Sequence, residues 1–597
     1  MIGLLVIVKK LLKLLTIFFK NAVNNLKIPS PDEHLTETTE DDPVLAAIEK
    51  FSKHPSILKI KEIIKDGPNF SFSEVTLQDT LKLVGRLKTK KAGTYNDIPT
   101  NVLKNNIDIC GEHLLNIINY GITTSCFDSN LKLADISPIF KDTDRTNTQK
   151  YRPVSVLPVV SKIFERTMEE QITSFIDKYL SPFLCGYRKG FSTQHALLAL
   201  IEKWRKILDK KGFGGAVLMD LSKAFDTIDH ELLIAKLHAY GFDEKALRLL
   251  QSYLSDRWQR TKVNNSFSTW TELLQGVPQG SILGPLLFNI YLNDLFYFIS
   301  ETDVCNFADD TTLYAINMEL PALMNRLENE TNTCVEWFYL NYMKLNGDKC
   351  HLIVGGNKPT LMSTEIQGNR IVETSQERLL GVKIDRDLKF DVHLNDICKK
   401  AGNKLNALAR QCKILPFYRR KLLVNAYFNS IFGYGQLTWM FCSRRLNGKI
   451  NKLHLRALRI VYRDYTSSFE ELLKKDGSCS IHHSNIKFLA TEIYKSRNSL
   501  CPKFMCDIFS TTNNNFDNVS WNTRYHNDFY NKSNPKTESF GISSLGYFGP
   551  KVWQMIPANI RNSPTLKIFK EKIKKWQVNN CVCRLCKKYA QRVGFID

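Results

Sequence analysis

Apolar and β-branched residues gather at several places into runs too short for a helix, and some of these runs deliver acids. Val304-Cys305-Asn306-Phe307-Ala308 and Thr311-Thr312-Leu313-Tyr314-Ala315 flank Asp309 and Asp310. That pattern predicts strand, tight turn and strand, with both carboxylates at or near the turn. Ala216-Val217-Leu218-Met219 predicts a buried strand with Asp220 at its end. Ile136 to Lys141 and Tyr151 to Ser155 read as two further strands joined by a polar loop. Helical spacing runs from Val44 to Lys65, again from Leu77, and from Glu319 to Leu340. Ser192 or Thr193 could cap another helix. The Gly/Pro-punctuated loop from Gly276 to Pro285 leads into an apolar helix through Leu286 to Leu295. From Phe390 to Leu473 the pattern is helical and basic, Ser510 to Asn518 reads as a loop or boundary, and an aromatic-rich segment then runs through Trp553 to the basic tail at Lys567 to Lys575.

The N-terminus breaks the rule that apolar runs are uncharged. Ile2 to Phe19 is strongly apolar, yet Lys9, Lys10 and Lys13 interrupt it, and Lys9, Lys13, Thr16 and Lys20 fall on one helical stripe. A signal peptide carries its charge before the apolar run. A membrane-spanning helix would bury each lysine at a cost of about 2.5–3.5 kcal/mol. An amphipathic helix is expected, packed on the body of the protein or lying on a membrane surface; a start placed too far upstream in the gene is the other reading. Residues 30 to 43 are acidic and contain proline, as a linker would.

Charge narrows the partners. The 597 residues carry 82 Lys and Arg against 60 Asp and Glu, a net charge of +22. Such an excess points to a polyanion, nucleic acid or an anionic membrane, with plain solubility charge as the bland alternative. Fifteen scattered cysteines, an odd number, favour a reducing intracellular setting with buried thiols. Cys581, Cys583 and Cys586 invite zinc but lack a fourth ligand at normal spacing, so a basic tail without metal is expected.

Adjacent carboxylates repel unless a cation compensates them. If the two acid-bearing strands are neighbours, Asp220 and Asp309 converge with Asp310 beside them. A site of hard oxygen ligands suits Mg²⁺, or Mn²⁺ in its place, and leaves room for water and phosphate. Two ions about 3.5–4 Å apart would clamp an in-line phosphoryl transfer.

Phe307-Ala308-Asp309-Asp310 resembles the aromatic-Ala-Asp-Asp box of reverse transcriptases, and the chain from about Lys90 onwards is similar to the polymerase of non-LTR (LINE-type) retrotransposons. The resemblance implies an α/β right-hand polymerase with a ferredoxin-like palm sheet, fingers, a helical thumb and a mixed C-terminal region. The partition it implies is an N-terminal amphipathic segment and linker (1–43), a fingers extension (44–121), a fingers and palm domain (122–386), a thumb (387–509) and a basic C-terminal region with the cysteine cluster (510–597). Catalysis and two Mg²⁺ ions fall to Asp220, Asp309 and Asp310. Lys141 and Arg152 would grip the triphosphate, Phe225 would exclude a 2′-hydroxyl, and Gln279 of Pro278-Gln279-Gly280-Ser281 would meet the nucleotide and its template base. Lys349 would protonate or steady the leaving pyrophosphate; an exposed turn lysine is the competing reading. Arg188 and Lys189, within Gly186-Tyr187-Arg188-Lys189-Gly190-Phe191-Ser192-Thr193, and Gly381 of the primer-grip hairpin Arg378 to Ile384 would contact nucleic acid. Lys90 to Pro99 matches the block that begins the fingers only loosely.

The implied partners are an RNA template, a DNA primer or target, and deoxynucleoside triphosphates, in an intracellular, nuclear and cytoplasmic, ribonucleoprotein. Family members commonly carry an endonuclease ahead of the polymerase, and the residues before Lys90 are too few for one. Many end in a Cys/Cys/His/Cys group, whereas no histidine follows Cys586. A catalytically silent remnant that binds nucleic acid is the rival reading, and a membrane-associated protein built on the N-terminal helix is a third.

Overall fold

The computed structural model describes residues 12–19, 34–65, 69–89, 93–94, 97–141, 144–264, 266–358, 360–509, 535–578, 581, 583 and 585–586. Lys9, Lys10, Lys20, most of the basic loop at 90–96 and the whole of 510–518 lie outside the described residues. Along the described chain the strands are β1 (Leu133–Phe140), β2 (Tyr151–Val156), β3 (Phe213–Asp220), β4 (Arg257–Val263), β5 (Ser266–Phe267), β6 (Thr271–Leu273), β7 (Asp303–Phe307), β8 (Asp310–Asn317), β9 (His351–Gly355), β10 (Ser363–Ile366), β11 (Asn369–Val372), β12 (Gln376–Leu379) and β13 (Val382–Asp385). The helical stretch expected from Val44 to Lys65 is two helices, Pro43–Lys50 and Pro55–Ile64. Proline fits the first turn of a helix but not its interior, so Pro55 starts a second helix and does not extend the first.

These elements form two compact units, each built from separate stretches of chain: Met1–Tyr187 with Asp220–Ser300 and Asn332–Asp348, and Arg188–Met219 with Glu301–Thr331 and Lys349–Asp597. In the first unit β2-β1-β4-β5 form a sheet, with β6 on β4. A helix at residues 12–19 lays Leu15 and Phe19 on Ile136 of β1, and Phe18, Tyr151 and Val263 pack around them. Leu14 and Ile17 remain exposed. Packing on the protein body is thus what the structure shows for residues 12–19, and no described helix is long and apolar enough to cross a membrane.

A charged pair sits inside this unit. Lys236, on helix His230–Ala239, donates to the Asp294 carboxylate at 2.5 Å and to the Tyr291 carbonyl at 2.8 Å, with both charged side chains fully buried. Trp337 Nε1 donates to the other Asp294 oxygen at 2.8 Å, and the ammonium lies over the Tyr291 and Trp337 rings. Burial lowers Lys236 to about 8, with Asp294 acting in the opposite direction.

His54 caps helix Pro55–Ile64: Nδ1 accepts from Ser56 N at 3.2 Å, and Nε2 lies 3.1 Å from the Leu340 carbonyl. One nitrogen accepts while the other donates, which requires the neutral ring. Burial accordingly holds its pKa down to about 4, from an ordinary value of 6.5. A histidine depressed in the folded state is protonated first in the unfolded chain, so stability is present above pH 6.5 and drains as pH falls towards 4. The thermal midpoint is therefore expected to drop between pH 7 and pH 5, and the drop should shrink in His54→Asn, which caps without titrating. An equal slope in both proteins would refute this.

In the second unit the sheet order is β7-β8-β3-β9. The first of these strands in the chain lies between the third and the fourth, which is the ferredoxin-like arrangement. β9 is antiparallel to β3 and β7 to β8. A Cβ on Gly212, just before β3, would lie 2.9 Å from the carbonyl of Asn317 at the end of β8, so these neighbours also run in opposite directions. The strand is buried as its apolar run predicts: Ala216 and Val217 are wholly enclosed. Gly214 and Gly215 point to opposite sides of the pleat, where a Cβ would strike Trp204 and Leu327 respectively.

Helix Asp391–Gln411 buries Leu394, Cys398, Ala401, Leu405 and Leu408 at helical spacing and leaves Lys399, Lys400 and Lys404 exposed. The C-terminal region is tied to helix Thr193–Asp209: the Asp209 carboxylate accepts from Lys536 N and Thr537 N, and Glu202 accepts from Leu545 N. None of the fifteen cysteines, all described, is in a disulfide.

Candidate active site

In the second unit the Asp-Asp turn is the tightest hairpin the sheet could carry. Phe307 pairs with Asp310, leaving a two-residue loop of Ala308 and Asp309. Such loops need left-handed backbone, and Ala308 supplies it at φ +61°. Asp309 and Asp310 are half-buried. Asn306, fully enclosed one residue before Phe307, holds the turn from beneath: its amide nitrogen donates to the Ala308 carbonyl at 2.9 Å, the Thr311 hydroxyl at 3.0 Å and the Asp310 carbonyl at 3.3 Å.

Sequence reasoning passed over Asn306. Its only signal was an amide inside an apolar run. Asn306→Leu keeps the volume and deletes these bonds, so primer extension should slow by at least about tenfold through displaced carboxylates, since a 1 Å misplacement costs on the order of 10²-fold. Steady-state kinetics would show kcat falling with nucleotide KM little changed; an unaltered kcat would sink the idea.

The first unit holds Lys141, Arg152, Phe225 and Gln279, four of the residues expected to meet a nucleotide. In the β1–β2 hairpin Ile139 faces Arg152, and Lys141, two residues further on, shares that face. Both cations are exposed, and Lys141 N closes the hairpin on the Lys150 carbonyl at 2.8 Å. Gln279 Nε2 donates to the Asp226 carboxylate at 2.8 Å. Burial raises Asp226, while Gln279 and the charges of Lys223, Arg152 and Lys141 pull it down. The Asp226 carboxyl therefore feels three cations from within a buried setting. A cavity of about 180 Å³ opens here, lined by Pro153, Ser155, Asp226, Pro278 and Gln279 and by Phe19 of the N-terminal helix.

The loop carrying Gln279 is pinned from two sides. Ser155 N donates to the Gln279 carbonyl at 2.8 Å, and Gly280 lies at φ +135°, where a Cβ would fall 2.4 Å from the Ser155 carbonyl. Glu165, fully buried, accepts from Ile282 N at 2.6 Å and Leu283 N at 3.2 Å. Phe225 stacks on Phe288 at 4.6 Å and meets Tyr187 edge-on. His230 lies 2.7 Å from the Gly276 carbonyl through Nε2.

Asp220 closes β3 and is half-buried. Its carbonyl accepts from Asn346 N at 2.9 Å, and its carboxylate lies 3.4 Å from Asn346 Nδ2.

Residues 139–384 match the reverse transcriptase (RNA-dependent DNA polymerase) family. Among curated proteins, the chain is similar to the probable RNA-directed DNA polymerase from transposon BS of Drosophila melanogaster, 25% identical over 405 residues, covering 65% of this chain and 44% of that protein. It is also similar to the RNA-directed DNA polymerase from mobile element jockey of the same species, 26% identical over 401 residues and covering 65% and 43% of the two chains. The probable polymerase from transposon X-element is 28% identical over 293 residues, or 47% and 32%. Residues 139–384 thus carry the match to reverse transcriptases, and the chain beyond them is similar to RNA-directed DNA polymerases of mobile elements. It spans less than half the length of these relatives.

The remaining expected residues fall as follows. Arg188 is half-buried with its guanidinium over the Phe191 ring at 4.4 Å, and Lys189 is exposed. Ser192, not Thr193, caps the helix that follows, accepting from His195 N. Lys349 is exposed at the end of the single turn Gly347–Lys349 before β9. Gly381 sits in the turn of the β12–β13 hairpin, where the Tyr434 hydroxyl donates to the Leu380 carbonyl at 2.5 Å. The structure brings Lys141, Arg152 and Gln279 around Asp226 in one unit, and places Asp309 and Asp310 on one turn in the other.

Proposed function

We propose that this protein is an RNA-directed DNA polymerase that adds deoxynucleotides to a primer 3′-OH on an RNA template, within an intracellular ribonucleoprotein of a LINE-type element. The observation that carries the reading is the braced Asp309-Asp310 turn beside β3 inside a stretch matched to reverse transcriptases. β3 runs antiparallel to β8 in the same sheet, and Asp220 is its last residue.

The donor set fits a divalent ion of the hard kind: three half-buried carboxylates, with Mg²⁺ preferred and Mn²⁺ able to replace it. Asp220, Asp309 and Asp310 would hold two ions. When bound, Mg²⁺ lowers the pKa of the primer hydroxyl and neutralises charge on the triphosphate and the leaving pyrophosphate. The chain's own groups do the rest. Arg152, with Lys141 on the same face, grips the triphosphate as a planar fork suited to phosphate oxygens. Gln279, oriented by Asp226, faces the nucleotide and its template base. Lys349 steadies or protonates the pyrophosphate. Arg188, Lys189 and Gly381 contact template and primer, and the exposed lysines of helix Asp391–Gln411 follow the duplex phosphates.

Phe225 excludes a 2′-hydroxyl in this reading, and the Phe288 ring stacked on it at 4.6 Å supports a fixed side chain. Phe225→Val should raise ribonucleotide incorporation relative to deoxynucleotide by roughly 10–100-fold, the range that a few buried carbons supply in a specificity pocket. Competing incorporation on one template measures it, and an unchanged ratio would remove Phe225 from the role. The proposal as a whole is tested by primer extension with the purified chain on a primed RNA template, Mg²⁺ and deoxynucleotides. RNA binding without any extension would favour the silent remnant.

A further inference from the structure

The three C-terminal cysteines do have a fourth partner. His482, in the first turn of helix Ile481–Arg497, comes from 101 residues upstream of Cys583, and its Nε2 lies 3.0 Å from that sulfur. The ligand atoms of His482, Cys581, Cys583 and Cys586 all lie within 4.8 Å of one another. Tetrahedral zinc with Zn–S near 2.3 Å and Zn–N near 2.0–2.1 Å has S···S edges of roughly 3.8 Å and S···N edges of roughly 3.5 Å. The four atoms therefore need shifts of only about 1 Å to enclose one ion. His482 and Cys583 are buried and the other two cysteines are half-buried, so the group is shielded from solvent without being sealed.

We infer that His482, Cys581, Cys583 and Cys586 form a structural zinc site that fastens the C-terminal segment to helix Ile481–Arg497. Three sulfurs and one imidazole select zinc over the hard cations of a polymerase centre. Four protein ligands leave no open position, so the role is structural.

The fastening completes a seam that is already partly built. Helix Leu566–Lys575 lies on the same helix: Tyr494 stacks on Phe569 at 4.3 Å, and Lys487 Nζ donates to the Lys574 carbonyl at 2.8 Å. At its other end helix Ile481–Arg497 carries Glu492, which pairs with His195 at 3.0 Å with both side chains buried. His195 stands three residues after the Ser192 cap, so the helix that receives the zinc also braces the start of helix Thr193–Asp209. His483, the neighbouring ring, has Nε2 3.6 Å from Cys586 Sγ and lies outside the compact group of four.

The test uses the full chain purified under reducing conditions, with metal content read by mass spectrometry and Co²⁺ replacement read by absorption. About one zinc per chain is expected in the parent. It should be lost in Cys583→Ser, held at least about tenfold more weakly in His482→Ala, and kept in His483→Ala. The cobalt form should show thiolate charge-transfer and tetrahedral d–d bands. No zinc in a folded parent, or zinc held equally well by His482→Ala, would overturn the assignment. Because Cys583→Ser could misfold, a second measurement works on the parent alone. Removing zinc with a chelator should speed trypsin cleavage after residue 575 at least about tenfold, and restoring zinc should reverse it; cleavage indifferent to zinc would overturn the fastening role.

Discussion

Primer extension on a primed RNA template should fall by on the order of 10³-fold or more when Asp309 or Asp310 is changed to Asn, with RNA affinity unchanged. The substitution keeps the shape of the side chain and removes one negative charge from a set of three. Each carboxylate contributes several kcal/mol of charge stabilisation to the ions of such a site, and each 1.36 kcal/mol is tenfold in rate. The turn should survive, because what shapes it is the Asn306 amide and the left-handed Ala308, not the carboxylates. Circular dichroism and filter binding to labelled RNA would confirm an intact protein. Extension at the parent rate by Asp309→Asn would move the metal site away from this hairpin. A parent that binds RNA in a salt-sensitive way but extends nothing would mark a silent remnant, since phosphate contacts alone give salt-dependent binding.

Lys236→Met should destabilise the first unit by roughly 3–5 kcal/mol, the cost of leaving a buried charge unpaired. Asp294 would keep the Trp337 Nε1 bond but lose its ammonium partner in a site with no exposed surface. Chemical denaturation followed by tryptophan fluorescence would report it, because Trp337 contacts both groups. Adding Asp294→Leu should recover part of the loss and not all of it, because the Trp337 N–H and the Tyr291 carbonyl are then left without these partners. Equal midpoints for parent and Lys236→Met would mean that the ammonium contributes nothing to the core.

Both predictions rest on features that differ in how openly the chain displays them. The Asp-Asp turn could be read directly, because a strand's period of two and a turn's demand for short polar residues are local rules that a dozen residues satisfy or break. The same holds for β3 ending at Asp220, for the β1–β2 hairpin with its two cations, and for the helix capped at Ser192. The split of 44–65 at Pro55 was equally local and was passed over only because helical spacing continues across it.

Tertiary structure alone decided the rest. Lys236 with Asp294, Gln279 with Asp226, Glu165 with Ile282 N and His195 with Glu492 are single polar contacts between distant positions, without periodicity or neighbouring signal. His482 shows the limit most sharply. The spacing Cys-x-Cys-x-x-Cys could be seen in the chain, but its fourth partner is separated from Cys583 by 101 residues and is supplied by the packing of a helix. By itself the sequence determined the acid-bearing strands and their turn, the β1–β2 hairpin and the main helical stretches, because those follow from short-range sterics and the burial of apolar faces. Which polar groups meet depended on how the faces stack. A buried hydrogen bond or ion pair is satisfied by geometry, and geometry between distant segments exists only once the chain has folded.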